Sequence, residues 1–520
     1  MKTPKVLPLV VVLVAMAVCE VHAQPVPEDV QKKLDAMMKR LDQQDKVIQG
    51  QGEKLQQQEQ RIQRQQQVIE DLRKGAPPGT AAPSAQGGKE PLTPKQEQRV
   101  DDLVKDYLGK EENRVSLGLE GMVAGYKDGF FLASRDQSYK LKFSGFMDVD
   151  GRFIEEDVPT ANTFLIRRAR PTVSGTLAKY TNFVVMPDFG QGKVVMKDTF
   201  IDLAYLGETA TFRLGKYKVP QGLEVTLPNM DTLFVELGLP ALLNPEYDVG
   251  VGAYGKAFDG VVDWSVALFN GDDRNEWQGK TKDSDVDNNK SKDFGARLQV
   301  TPFKNTANRW VKGLQGAGWV NVGTEADVPG ANQYALNYAI GPGTTFFKTT
   351  ATTVSQLGER TRAGWDAAWL VGPAKVIGEW AYQDSELVGA AMKGNVPITA
   401  WSVSAAWLLT GEDETLLRVK PKNDFDPMKK GWGAWELAAR WQRMEISENA
   451  LPFMAAGSTD GVGEFTLGVN WYLNRNVKMM FNWDHAIYDN AILVAPTSGA
   501  GASKLANDED AFMFRTQVRW

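Results

Sequence analysis

The chain has 520 residues, a net charge of −6, 49 glycines and 15 tryptophans. That length exceeds what one soluble core usually needs, so one large closed structure or several domains are expected. The weak acidic balance argues against general nucleic-acid binding, and no interior stretch reaches the roughly 18 apolar residues of a membrane helix.

Residues 1–23 read as a secretory signal peptide. Lys2 and Lys5 form its basic start, Val6 to Val18 its apolar middle, and Val21-His22-Ala23 the cut before Gln24. The rival is a lipoprotein signal ending at Cys19, where Val18 stands in place of a small residue. Cleavage after Ala23 would leave no cysteine and one histidine, His485. Disulfides, zinc sites and thiol chemistry are then not expected, and no cofactor is.

Residues 24–74 carry a heptad repeat. Leu34, Leu41, Ile48, Leu55, Ile62 and Ile69 fall seven apart; Val30, Met37 and Leu72 take the second core position, with Gln44, Gln51, Gln58 and Gln65 in its middle. A strict seven-residue period predicts an α-helical coiled coil and an oligomeric stalk, against a Gln-rich solvated helix. Residues 75–94 are a Pro/Gly/Ala linker. At the end of that linker Thr93 and Pro94 suit the start of a short helix in 95–138, with Val100, Leu103, Val104 and Tyr107 on its apolar side. Asn113 to Ser134 is strand-like, a candidate hairpin that plugs or abuts the base of the domain after it.

From 139 to 520 the chain settles into two-faced segments of about ten residues. Leu141, Phe143, Met147 and Val149 oppose Lys142, Ser144, Asp148 and Asp150; Trp435, Leu437 and Trp441 oppose Glu436, Arg440 and Gln442; Phe512, Phe514, Val518 and Trp520 oppose Arg515, Gln517 and Arg519. Tight turns near Ala178-Lys179, Gly207-Glu208, Phe258-Asp259, Gly372-Pro373 and Asn474-Arg475 alternate with long loops at 219–247, 271–292, 323–360, 385–397, 446–461 and 487–509. One short-side connection, 411–430, is long. This is the pattern of an all-β, transmembrane antiparallel β-barrel of about 16 strands in a bacterial outer membrane, its outside facing lipid and both chain ends in the periplasm. A soluble sandwich would need a partner sheet for every apolar face.

The loop from Val219 to Tyr247 follows the fifth predicted strand and carries Leu223, Leu227, Leu233, Phe234, Val235 and Leu237. Folding into the lumen would bury them; packing at a subunit contact is the alternative. By strand parity Lys142, Arg168, Arg170, Arg213, Arg297, Arg362, Arg440, Arg515 and Arg519 face the lumen, and Lys216 and Lys218 lie at the loop mouth. Each is a candidate for an anion path or for an ion pair with a lumen acid. Asp148, Asp150, Glu224, Asp231, Glu236, Asp366 and Glu436 share those faces, so the basic residues are in no clear excess.

Phe164-Leu-Ile-Arg-Arg-Ala-Arg170, Arg213-Leu-Gly-Lys-Tyr-Lys-Val-Pro220, Asp248-Val-Gly-Val251, Leu409-Thr-Gly-Glu412, the Lys420-to-Arg440 stretch with Trp432-Gly-Ala-Trp-Glu436, Asn470-Trp-Tyr-Leu-Asn474 and the last strand together resemble the phosphate-selective porin O/P family. The resemblance covers most of 139–520. It implies a homotrimeric porin with inward loops and a lumen of arginines and lysines passing small anions such as phosphate. Members often have a basic residue where this chain has Tyr247. The other readings are a porin with little ion selectivity and a barrel anchoring a periplasmic stalk that binds the cell wall or another envelope component.

Other chemistry finds little footing. Catalysis is not expected, and His485 beside Asp484 reads as a rim or girdle residue. Asp283, Asp285 and Asp287 start like a calcium loop, but Asn288 and Phe294 stand where its glycine and terminal glutamate belong, so no metal is expected.

Overall fold

The computed structural model describes residues 122–155, 161–271, 290–324, 336–341, 343–350, 354–389, 392–496 and 502–520. The expected signal peptide, coiled coil, linker and short helix lie outside them, as do Asp283, Asp285 and Asp287.

A hairpin comes first, β1 (Val123–Tyr126) and β2 (Phe130–Ala133). Nine strands follow: β3 (Lys140–Ile154), β4 (Thr163–Leu177), β5 (Thr181–Asp188), β6 (Val195–Leu203), β7 (Thr211–Lys218), β8 (Tyr247–Ala257), β9 (Val262–Phe269), β10 (Asp293–Val300) and β11 (Gly313–Thr324). A small hairpin, β12 (Asn337–Ala339) and β13 (Thr345–Lys348), interrupts the series. Seven more strands complete it: β14 (Ser355–Val371), β15 (Ala374–Val388), β16 (Lys393–Leu408), β17 (Ala434–Ile446), β18 (Gly461–Tyr472), β19 (Val477–Val494) and β20 (Lys504–Arg519). Each of β3–β11 and β14–β20 pairs antiparallel with its neighbour, and β20 pairs with β3, so sixteen strands close without an edge. Closure gives each of the sixteen strands a neighbour on both sides, the arrangement that suits a sheet in lipid.

The seam ends where the chain ends. Gly145 and Trp520 exchange backbone hydrogen bonds of 3.1 and 3.0 Å. Just below, β2 pairs with residues 140–143 of the same β3 edge, so the first hairpin extends the wall past the end of β20. Of the candidate hairpin in 113–134, the described part, β1 and β2, thus abuts the barrel wall. All five predicted tight turns lie at this end. At one of them Ala178 and Lys179 take φ of 48° and 71° in the three-residue link between Leu177 and Thr181.

The alternation has the expected sense, with Leu437, Leu467, Phe481 and Phe512 exposed outside while Glu436, Arg440, Thr466, Asn482 and Arg515 are buried inside. Aromatic residues ring the outer wall at two heights. Near the short turns Trp435 stacks on Trp471 at 4.9 Å. Higher up, Trp365, Trp380 and Trp401 are direct cross-strand partners. His485 belongs to this upper belt, stacked on Trp483 and 3.1 Å from Asp510. Two such girdles bound the apolar band of an outer-membrane barrel.

The long-loop end departs from the expected boundaries. The 385–397 loop shrinks to the link between Val388 and Lys393, and the 487–509 loop to that between Val494 and Lys504. The 323–360 loop contains β12 and β13, and β14 already begins at Ser355. One cause accounts for these differences. Leu387, Val396, Ile398, Met444, Ile446 and Ile492 point inward and are buried against Tyr338, Phe346 and Phe347 of the small hairpin. There the alternation is inverted, with apolar residues turned inward onto the hairpin and Asp384, Glu386, Asn395 and Asp489 turned outward, so the apolar face no longer marks the outside.

Candidate functional site

The lumen is organised by the segment from Val219 to Glu246. Its base is closed by Val219 N–H donating to the Glu246 carbonyl at 3.2 Å. A helical turn, α1 (Leu223–Thr226), has its free N–H groups at Leu223 and Glu224 capped by Glu379 of β15, the second at 3.1 Å. Gly222, with φ of +66°, makes the turn into it where a Cβ would stand 2.7 Å from Asn244. The segment then runs extended past β17–β20. There Lys478 donates to Thr232 O at 2.8 Å, Asn470 to Leu233 O at 2.9 Å, Arg515 to Val235 O at 2.7 Å and Arg440 to Glu236 O at 3.1 Å. Asn482 and Gln442 accept from Val235 N and Leu239 N at 2.7 and 2.8 Å. A backbone without a sheet partner is thus satisfied by wall side chains.

The apolar residues of the loop explain its inward course. Leu233 and Phe234 pack on Ala406 and Ala438, Val235 on Met480 and Met513, and Leu223 on Ala368 and Ile377. The loop folds into the lumen and is not left for a subunit contact. On the side it leaves open, a cavity of 610 Å³ at the short-turn end is lined by Thr211, Tyr254, Lys256, Asp263, Arg297 and Gln299, with Pro220 and Thr226 of the loop.

Most of the predicted cations face a carboxylate. Arg168 lies 3.0 Å from Asp148, Arg170 2.6 Å from Asp188, Arg213 2.7 Å from Asp202 and Arg297 2.5 Å from Asp366. Arg440 lies 3.6 Å from Glu224, Arg515 2.7 Å from Asp150 and Arg519 2.6 Å from Asp231. Arg362 donates to Gln383 at 3.0 Å and Asn321 at 3.4 Å, and Lys218 to the Leu227 carbonyl. Lys142 is half-buried on β3 near the short turns, and Lys216 is half-buried on β7. The cations are therefore spread around the wall and interleaved with acids; no continuous row of them forms.

Several inward cations escape sequence parity. The β3–β4 register slips between Asp148 and Val149, so β4 has an extra residue and Arg167 turns inward beside Arg168. A second slip opposite Met186 turns Lys197 of β6 inward. A β-bulge shifts one residue to the other face, and alternation alone does not reveal where it falls. Arg360, 2.7 Å from Asp293, lies in a segment whose composition predicts a loop. Lys375 of β15 holds Glu414 at 2.9 Å and Glu436 at 3.1 Å; strand parity would have found it, as it would Arg152, paired with Glu236.

The family model for phosphate-selective porin O and P matches residues 139–520. The chain belongs to this porin family. Its barrel is therefore an outer-membrane channel for small solutes, and the closed sixteen-strand wall with its inward loop is how this porin builds one. No match is found among curated proteins. Among solved structures the fold is similar to OmpT of Vibrio cholerae, at 12% identity and a TM-score of 0.45, covering 75% of this chain and 100% of that one. It is similar to an anion-selective porin from Comamonas acidovorans at 11% identity and TM-score 0.45, covering 74% and 100%. The outer membrane channel DcaP of Acinetobacter baumannii gives 10% and 0.44, covering 76% and 100%.

Proposed function

We propose that this porin is a passive diffusion channel for small polar solutes, anions such as phosphate among them, with little net ion selectivity. The observation that carries this reading is the pairing of Arg168, Arg170, Arg213, Arg297, Arg440, Arg515 and Arg519 with carboxylates. A cation with a carboxylate within about 4 Å projects little field into the lumen, so a row of such pairs neither concentrates anions nor repels cations strongly. The finer reading, a preference for anions along the Arg/Lys path, is favoured by membership of the phosphate-selective porin O and P family.

The zero-current potential of single channels across a potassium chloride gradient tests the choice. A value near zero, unchanged by phosphate, is expected. A strongly anion-selective potential with chloride current blocked by millimolar phosphate would overturn weak selectivity in favour of the anion path.

The assembly we propose is a homotrimer whose contact arc is the low side of the barrel. Strands β5, β7, β9 and β10 have eight residues each, against 17 in β14 and 18 in β19. About 9–11 tilted residues are needed to span the hydrocarbon core, so this arc is better covered by protein than by lipid. The coiled coil at 24–74 would then hang in the periplasm, with β1 and β2 joining it to the short-turn rim. Failure to form a detergent-resistant, heat-modifiable oligomer would count against the trimer.

A second reading treats the barrel as an anchor for that stalk. It is favoured by the apolar mass of β12, β13 and Leu239, Leu242 and Leu243 inside the mouth. Deleting 24–110 separates the two, because a porin keeps its conductance whereas an anchor conducts little to begin with and its loss costs envelope integrity.

A further inference from the structure

Where the inward loop returns to the wall, its last residue lies in a cradle of positive charge. The buried Glu246 carboxylate lies 3.6 Å from the Lys197 ammonium through one oxygen and accepts from Asn229 Nδ2 at 3.1 Å through the other. Asn229 is held in that orientation by Arg170, whose Nη1 donates to the amide oxygen at 3.1 Å. Tyr247, next in the chain, has Lys197, Lys218 and Arg170 around its ring at 5.0, 5.7 and 5.9 Å from the centroid. The Lys197 ammonium and the Asn229 amide meet at this carboxylate, and the Tyr247 hydroxyl helps Arg170 orient that amide by donating to its oxygen at 3.4 Å, a donor set suited to an oxyanion.

The surrounding charges make the role of Glu246 specific. The charged groups around it are Lys197 and Asp198 of β6, Lys218 of β7 and Arg168 and Arg170 of β4. Asp188 already pairs with Arg170, and Asp148 with Arg168. Lys197 lies against Glu246, and Lys218 has both Glu246 and Asp198 as acidic neighbours, so Glu246 is a counter-charge to two ammoniums. Removing it lowers the negative charge beside buried cations, a change that a small anion from solution would offset.

We propose that Lys197, Asn229, Tyr247 and Lys218 form an oxyanion-binding site that the loop's own Glu246 carboxylate occupies. That occupancy sets the pore's indifference to phosphate. The inference rests on the porin reading and deepens it, because it names the residue that decides cargo. The loop carboxylate is an internal counter-ion standing where a phosphate oxygen would sit.

Two substitutions separate charge from space. Glu246→Ala removes the charge and vacates the site; Glu246→Gln removes the charge and keeps the site filled. In full-length protein, thermal unfolding of Glu246→Ala is expected to shift upward with millimolar inorganic phosphate beyond any shift common to the wild type. Glu246→Gln is expected to track the wild type. In bilayers both variants shift the zero-current potential toward anions, and phosphate blocks chloride current severalfold more in Glu246→Ala than in Glu246→Gln. A phosphate response of Glu246→Ala no larger than that of the wild type overturns the site. Should that variant fail to assemble, Lys197→Met is read instead. It is expected to shift the potential toward cations, and an unchanged potential overturns the proposal. The unfolding assay needs no conduction, so a failed porin reading and a failed site remain distinguishable.

Discussion

Arg515 and Asp150 meet across the barrel seam through two parallel hydrogen bonds of 2.7 Å each, 365 residues apart in sequence and with both side chains fully buried. The same guanidinium donates to the Val235 carbonyl, so one residue joins the last strand, the first barrel strand and the inward loop.

Breaking that pair is expected to be costly. Arg515→Met leaves the Asp150 carboxylate buried, with the Arg152 guanidinium 3.4 Å away and already engaged by Glu236, and losing one member of a buried pair typically costs about 3–5 kcal/mol. The temperature at which the folded band converts to the unfolded band on gels should fall clearly. The double variant Arg515→Met with Asp150→Leu should recover part of the loss. A single variant with wild-type heat modifiability would mean the seam is held by the ladder alone.

Loosening the loop should widen the pore. Arg440 donates to Glu236 O, lies 3.6 Å from Glu224 and stacks over the Phe234 ring at 4.6 Å. Arg440→Met removes all three contacts without moving the strand. Single-channel conductance is expected to rise, with greater open-channel noise as the loop samples other positions. Unchanged conductance would show that the apolar anchors at Leu233 and Val235 suffice to hold the loop.

The hairpin in the mouth offers a separate test. Phe347 is fully buried among inward residues of the long-loop end. Truncating a buried phenylalanine typically costs about 3–5 kcal/mol, more than a two-strand hairpin can supply on its own. Phe347→Ala should release β12 and β13, measured as faster cleavage between Leu336 and Thr350 by protease added outside cells. Protection equal to the wild type would mean the hairpin is held elsewhere.

Glu414, in the long connection between β16 and β17, predicts a pH dependence. Burial, and then the Glu436 carboxylate beside it, push its pKa up to about 8 from an ordinary 4.5. The folded state therefore holds a proton that the unfolded chain releases near pH 4.5. The stability this contributes is fully present below pH 4.5 and is lost as the pH rises through about 8, at no more than about 1.4 kcal/mol per pH unit. Amide exchange in 409–433 should accelerate between pH 6 and 8.5 beyond the intrinsic chemical rate, and Glu414→Gln should flatten the trend. A wild-type profile parallel to that of Glu414→Gln would assign the proton to another group.

Strand parity works where a strand has lipid on one side and water or polar side chains on the other. Arg168, Arg440 and Arg515 are legible for that reason, and so is the inward fold of a loop with Leu223, Phe234 and Val235 in it. Arg167 and Lys197 are not legible, because each sits at a bulge whose position depends on the neighbouring strand. The outer ends of β15, β16, β19 and β20 resemble loops in sequence because Leu387, Val396, Ile398 and Ile492 face a hairpin from elsewhere in the chain while Asp384, Glu386, Asn395 and Asp489 face outward, which inverts the alternation.

Period-two patterning and turn chemistry are local properties, so the amino-acid sequence by itself determined an antiparallel barrel of about sixteen strands, its inside and outside, and which end carries the short turns. Which cation meets which carboxylate was decided only in the tertiary structure. Arg515 and Asp150 become neighbours through closure of the barrel, and Glu246 reaches Lys197 through the return of a loop anchored on the opposite wall. Charge along a strand is written in the sequence, but the field in a lumen is a sum over pairs brought together from distant strands, and that sum governs what the pore will pass.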